Sequence, residues 1–82
     1  MNEPGLEHGL VELLRRIAPD IDPATFDRHA SLREDLDLDS MDVLNLLAAI
    51  HERYGVEIPD AEAGRIRTFE DLRSTVEARL AG

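Results

Sequence analysis

Residues 39–55 read DSMDVLNLLAAIHERYG, and this stretch predicts the helix around which the fold is built. Asp39 has the short acceptor side chain favoured at a helix N-cap, and Gly55 stands where a glycine commonly ends a helix. The segment between them has apolar residues at helical spacing and contains no glycine or proline. We therefore expect a helix from Ser40 to about Tyr54.

Two apolar stripes run along this helix, one on each side of Ser40. At about 100° per residue, the expected core face spans a single arc and comprises Val43, Leu46, Leu47, Ile50 and Tyr54. The second stripe comprises Met41, Leu44 and Ala48. Either the preceding connection covers this second stripe, or the stripe is a docking patch or the mouth of a ligand groove beside Ser40.

Upstream of residue 39 the sequence predicts one helix and a long connection. The first helix carries a stripe at helical spacing that consists of Leu6, Leu10, Leu13, Leu14 and Ile17. Pro19 ends this helix near Ala18. The connection spans residues 19–39, and Asp22-Pro23 is expected to open a short helical turn within it. Four apolar anchors predict that the connection is ordered: Phe26, Leu32, Leu36 and Leu38.

Downstream of Gly55 the sequence predicts two more helices. Ile58-Pro59-Asp60 begins a short third helix, which Gly64 weakens. The residues Thr68-Phe69-Glu70-Asp71 resemble a capping box for the last helix, whose expected buried stripe is Phe69, Leu72, Val76 and Leu80. The predicted fold is all-α, a small four-helix bundle in one domain over residues 1–82, with a long ordered connection between helices 1 and 2.

Composition narrows the class of protein further. The 82 residues include no cysteine and carry a net charge of −9, and all nine basic residues are arginines. Such a surface repels nucleic acid and anionic lipid, and it attracts proteins with basic surfaces. An acidic surface also keeps a small domain soluble, and charge alone favours neither interpretation. The apolar runs are too short to span a bilayer, and Met1–Pro4 lacks the features of a secretory signal. We therefore expect a cytoplasmic monomer that binds neither membrane nor nucleic acid.

Neither catalysis nor metal binding is expected at Ser40. The serine lacks a nucleophile-elbow motif, and His51 lies about 16 Å along the helix, too far to act as its base. Asp35-x-Asp37-x-Asp39 matches the opening of a calcium loop. The sixth and twelfth positions of such a loop, however, require Gly and Glu, and the sequence has other residues there.

The segment 32–42, LREDLDLDSMD, resembles the phosphopantetheine attachment motif of acyl carrier proteins, in which Asp-Ser-Leu opens the second helix. That family has a hydrophobic-Pro-Asp element about twenty residues downstream, which Ile58-Pro59-Asp60 matches. The resemblance covers nearly the whole chain and extends through Ile66, Thr68, Phe69, Leu72 and Val76.

The resemblance implies a carrier that is not itself an enzyme. It implies that Ser40 receives 4′-phosphopantetheine from coenzyme A through a magnesium-dependent phosphopantetheinyl transferase. The thiol of this arm then holds an acyl group as a thioester and presents it to acyl-loading and acyl-processing enzymes with basic surfaces. It assigns transferase or partner docking to Asp39, Met41, Asp42, Leu44 and Ala48, and a possible acyl cavity to Leu46, Ile50 and Ile66.

The chain departs from the family pattern at four positions. Met41 replaces the usual Leu, and Asp37 stands where Gly is usual, so the turn before Ser40 is expected to differ. Asn45 and His51 replace acidic residues of fatty-acid-synthase carriers, which favours a specialised lipid, polyketide or natural-product pathway over bulk fatty acid synthesis. Two alternatives stay open: a non-covalent interaction module that has lost the arm, and a peptidyl carrier of nonribosomal synthesis.

Overall fold

The computed structural model describes residues 4–81, which form four helices: α1 (Pro4–Ile17), α2 (Ser40–Tyr54), α3 (Asp60–Ala63) and α4 (Phe69–Ala81). The only β-type pairing within this range is an isolated antiparallel bridge between Ser31 and Thr68. The predicted all-α class with a short third helix is confirmed. The single domain of residues 1–82 stays a prediction, since residues 1–3 and 82 lie outside the described residues.

The core lies where α1 packs against α2 and α4. Each of these helices contributes side chains with almost no exposed surface, among them Leu10, Leu14, Leu46, Ile50, Phe69, Leu72 and Val76. Burying a side chain of this size contributes about 1.5–3 kcal/mol each, so this three-helix contact supplies most of the driving force for folding. None of the helices in residues 4–81 is both long and apolar enough to cross a membrane.

The prediction that Leu80 is buried is wrong. Its side chain is 49% exposed, whereas Phe69, Leu72 and Val76 of the same stripe are fully buried. Leu80 lies in the last turn of α4, beside a shallow depression that it shares with Gly5 at the start of α1. Because Gly5 has no side chain, it offers little apolar surface to cover Leu80.

The connection between α1 and α2 is ordered by contacts with α4 and with the segment before it. The Phe26 ring meets the Phe69 ring edge to face, with 5.3 Å between centroids. The Glu70 amide donates a hydrogen bond to the Arg28 carbonyl at 2.9 Å. Leu32 and Leu38 are buried, while Phe26 and Leu36 are half-buried. The predicted ordered connection is therefore confirmed.

The short helical turn expected at Asp22-Pro23 is present, with Asp22 at its start. Its side chain accepts a hydrogen bond from the Ala24 amide at 2.9 Å, and its carbonyl accepts one from Phe26 at 3.0 Å. This turn is isolated, and no helix follows it. The side-chain bond is the one an N-cap aspartate makes, with Pro23 at the first helical position, as predicted.

The other predicted helix ends are confirmed. Gly55 has φ 71°, a left-handed conformation that costs glycine little, and its amide donates to the His51 carbonyl at 2.8 Å. At α4, the Asp71 amide donates to Thr68 Oγ1 at 3.0 Å, and the Thr68 amide donates to Asp71 Oδ2 at 3.2 Å. This reciprocal pair is the expected capping box.

The short helix α3 is held by surface contacts and by the buried residues that flank it, Ile58 and Ile66. None of its four residues is buried. Arg79 of α4 pairs with the Glu62 carboxylate of α3 and donates a second hydrogen bond to the Glu57 carbonyl at 2.9 Å. One arginine thus fastens both α3 and the segment before it to α4.

Candidate functional site

Ser40 is the first residue of α2, and a reciprocal cap fixes the backbone on both sides of it. Asp39 Oδ1 accepts a hydrogen bond from the Asp42 amide at 2.8 Å, and Asp42 Oδ2 accepts one from the Asp39 amide at 3.1 Å. Ser40 itself is exposed. Its hydroxyl therefore projects from the positive end of the helix dipole, a place that favours an attached anion.

The turn that leads into this helix depends on Asp37, which has φ 60°. Most residues with a Cβ avoid this left-handed conformation, but aspartate tolerates it better than most. The next residue, Leu38, is buried, and its amide donates to the Leu32 carbonyl at 3.0 Å. Asp37 thus adopts the kind of backbone conformation that glycine supplies at little cost, so the departure at this position changes the residue and keeps a glycine-type turn.

Arg33 contacts the candidate attachment atom directly. Its Nη2 donates a hydrogen bond to Ser40 Oγ at 3.1 Å, across seven residues of sequence. Sequence reasoning missed this residue, because the contact depends on how the connection folds back toward α2. One feature of the sequence could have pointed to Arg33: it is the last arginine before five closely spaced carboxylates, Glu34, Asp35, Asp37, Asp39 and Asp42.

An open groove of about 740 Å³ begins at Ser40. Val43 and Leu44 of α2 form one wall, and Ala63 and Ile66 lie on the side formed by α3 and the residues after it. Of the three residues predicted to line an acyl cavity, Ile66 lines this groove. Leu46 and Ile50 are instead fully buried among the core side chains and do not line it.

The second apolar stripe of α2 is accessible. Met41 is 62% exposed and Leu44 43% exposed, and Ala48 is also exposed. The connection therefore does not cover this stripe, and that interpretation of the stripe is wrong. Leu44 belongs both to the stripe and to the groove wall, so the two apolar surfaces are continuous beside Ser40.

The residues around Ser40 fit an attached phosphopantetheine. An exposed hydroxyl can form the phosphoester, the helix N-terminus and Arg33 favour its negative charge, and the groove accommodates a slender chain. The described part of the chain, residues 4–81, contains no cluster of three or more His, Asp or Glu side chains arranged to hold a metal ion.

Comparisons with known proteins agree with this arrangement. The family model described as "Phosphopantetheine attachment site" matches residues 8–76. An acyl carrier protein of Thermosynechococcus vestitus is 36% identical over 75 residues, which cover 88% of this chain and 93% of that protein. The acyl carrier protein of Bdellovibrio bacteriovorus is 36% identical over 59 residues, 72% of this chain and 76% of its own.

A shorter match to the acyl carrier protein of Helicobacter hepaticus is 47% identical over 45 residues, 55% of this chain and 59% of that protein. The family model covers most of the chain, and the first relative is matched over nearly its whole length. This chain therefore belongs to the acyl carrier protein family, whose members are carriers with covalently attached 4′-phosphopantetheine rather than enzymes.

Proposed function

We propose that Ser40 carries the 4′-phosphopantetheine arm, and that the chain holds acyl groups on it as thioesters for delivery to partner enzymes. The observation that carries this proposal is the position of Ser40, exposed at the capped start of α2 and at the mouth of the groove. Ser31 and Ser74, the other two serines, do not open a capped helix.

The proposed modification is a transfer catalysed by a separate enzyme. Ser40 Oγ bonds to the phosphorus that bears pantetheine in coenzyme A, and the bond from that phosphorus to the nucleotide half breaks. The hydroxyl proton goes to a base of the transferase, because a serine without a base of its own is a weak nucleophile. The hydrogen bond from Arg33 uses a lone pair of Oγ and does not occupy that proton.

The surface around Ser40 suits recognition by basic enzymes. Asp39 is exposed and Asp42 half-buried at the start of α2, beside the apolar side chains of Met41, Leu44 and Ala48. An apolar patch with an acidic rim is the expected complement of an enzyme surface with arginines or lysines around an apolar centre. We assign this surface to the phosphopantetheinyl transferase and to acyl-loading and acyl-processing enzymes.

The exposed face of α2 supports a specialised pathway for the carrier. Asn45 and His51 are both exposed on this helix, and neither is acidic. Charges at the rim of an interface set the association rate and the choice of partner. Enzymes that recognise a carrier by a continuous row of carboxylates are therefore expected to bind this helix less well. Lipid, polyketide or natural-product assembly fits this surface better than bulk fatty acid synthesis. The cargo is proposed to enter from the groove beside Ile66, toward the side chains of Leu46 and Ile50.

Intact mass spectrometry tests the attachment. With a phosphopantetheinyl transferase, coenzyme A and magnesium, the protein is expected to gain the mass of one phosphopantetheine. Ser40→Ala should abolish the gain, whereas Ser74→Ala, which removes an exposed hydroxyl on α4, should leave it unchanged. A Ser40→Ala protein that still gains this mass, or a wild-type protein that gains none with several transferases, would refute the assignment.

A second measurement addresses the pathway. The protein isolated from its native host is expected to carry an arm whose additional mass identifies the acyl group. Amino-acyl cargo would contradict the acyl assignment and favour a peptidyl carrier.

A further inference from the structure

We propose that Arg33 holds the phosphate of the arm at Ser40 and thereby directs the arm along the groove. This inference rests on the proposed function of Ser40. It starts from the hydrogen bond of 3.1 Å between Arg33 Nη2 and Ser40 Oγ, the atom that becomes the bridging oxygen of the phosphoester. The remaining phosphate oxygens are only two bonds from Oγ, so they come within reach of the same guanidinium.

The backbone just before Arg33 is buried and tied to the segment that leads into α2. The neighbouring Leu32 is 1% exposed, and its amide donates to the Arg67 carbonyl at 2.8 Å. The Leu32 carbonyl accepts from the Leu38 amide at 3.0 Å, which ties this segment to the residues just before the helix. The guanidinium therefore extends from a backbone that the core holds in place, and less rotational freedom has to be lost when it binds an anion.

Arg33 has the chemistry and the spare donors for this role. Guanidinium presents five N–H donors in a plane that matches phosphate oxygens, and the contact with Ser40 involves one nitrogen. Within residues 4–81, every arginine–carboxylate ion pair involves another arginine: Arg28, Arg53, Arg73 or Arg79. The guanidinium of Arg33 is thus not already neutralised by a direct carboxylate partner.

The local charge makes such a residue useful. A phosphodiester at Ser40 lies among five carboxylates within residues 34–42, and like charges repel over this range. Arg33 lines the groove together with Arg67 and His29, but Glu34, Asp35 and Asp60 line it too, so the direction of the arm depends on the contact with Arg33 itself. An arm whose phosphate pairs with Arg33 therefore leaves Ser40 toward the groove instead of toward the exposed stripe at Met41.

The test compares apo and holo forms of four proteins: wild type, Arg33→Gln, Arg33→Lys and Arg53→Gln. Arg53 is the matched control, because thirteen residues at about 1.5 Å per residue place it roughly 20 Å from Ser40 on the same helix. Intact mass establishes complete loading of each holo form before any other measurement. Thermal unfolding and the ³¹P resonance of the phosphodiester are then recorded at low salt.

The quantity compared is the Tm of the holo form minus the Tm of the apo form. We expect this difference to be about 2–6 °C more positive in wild type than in Arg33→Gln, as one charge-assisted contact predicts in a domain of this size. Arg33→Lys should keep part of this difference, since it retains the charge without the planar donors. Arg53→Gln should match wild type in the difference between holo and apo forms. The ³¹P resonance should shift in Arg33→Gln and stay unchanged in Arg53→Gln.

Equal holo-minus-apo differences in Tm and equal ³¹P resonances for fully loaded wild type and Arg33→Gln would overturn the role of Arg33. That result leaves the attachment at Ser40 intact. A wild-type protein that gains no phosphopantetheine mass overturns the assignment of Ser40 instead. Should Arg33→Gln not fold or not load, the comparison is made with Arg33→Lys, whose ³¹P resonance must differ from that of wild type if the guanidinium holds the phosphate.

Discussion

Replacement of Gly9 by alanine tests how closely α1 and α2 approach each other. A Cβ built on Gly9 lies 2.0 Å from Tyr54 Oη, far inside the van der Waals distance. The next nearest atoms, Tyr54 Cζ and Arg53 Nη2, are each 3.3 Å away. The phenol oxygen is therefore the atom that has to move, and it can move only with the whole tyrosine ring.

Two opposing contributions set the expected change in stability. Glycine to alanine within a helix stabilises by about 1 kcal/mol. The Tyr54 ring is half-buried, packs against the core and lies under the Arg53 guanidinium. Displacing it costs about 1–3 kcal/mol, as expected for an overpacked contact. We therefore expect Gly9→Ala to destabilise the protein by roughly 1 kcal/mol despite its better helix propensity.

Tyr54→Phe reverses the sign of this effect, because it removes the oxygen that the new methyl group meets. In that background Gly9→Ala should stabilise by about 0.5–1 kcal/mol, which gives a coupling energy of roughly 2 kcal/mol between the two positions. Urea unfolding of the two single variants, the double variant and wild type measures the coupling. Additive changes within about 0.5 kcal/mol would refute the close approach described here.

Three further predictions concern the turn, the cap and the last helix. Asp37→Gly should stabilise the protein by up to about 1 kcal/mol and Asp37→Ala should destabilise it, because only glycine adopts φ 60° without strain; urea unfolding measures both, and equal effects would contradict the argument. Asp39→Ala should cost about 1 kcal/mol through loss of the α2 cap, also measured in urea, and a change near zero would contradict it. At α4, the hydrogen bond from Arg73 lowers the pKa of Glu70, so its carboxylate stabilises the fold above the unfolded-state pKa. The stability advantage of wild type over Glu70→Gln should therefore shrink as the pH falls below about 5, and an advantage that grows in acid would refute this sign.

Local sequence signals predicted the helices well, because the groups that start and end them are close in sequence. Asp39 and Gly55 mark the two ends of α2, and Thr68 with Asp71 marks the start of α4. Periodicity also identified the buried faces of α2 and α4. It failed at Leu80, since a helical wheel shows which side a residue occupies but not how much apolar surface the facing element offers, and Gly5 of α1 offers little.

The sequence predicted only those parts of the candidate site that depend on local signals. The position of Ser40 follows from a local motif, and the two stripes beside it follow from helical spacing. The contact from Arg33 does not, because it depends on tertiary hydrogen bonds that fold residues 31–38 back toward α2. The groove likewise depends on how far α3 lies from α2, a distance that no sequence pattern encodes.

The attachment of α3 has a mechanical consequence for the groove. The α2 wall continues into side chains such as Leu46 that are fully buried, so moving it disrupts the main packing of the molecule. The opposite wall includes a single helical turn without a buried residue, which Arg79 fastens at the surface and the buried Ile58 and Ile66 anchor on either side. Local opening is cheapest where few buried contacts are broken. Widening the groove at α3 is therefore expected to break polar contacts at the surface before it disturbs the packing of α1 against α2 and α4.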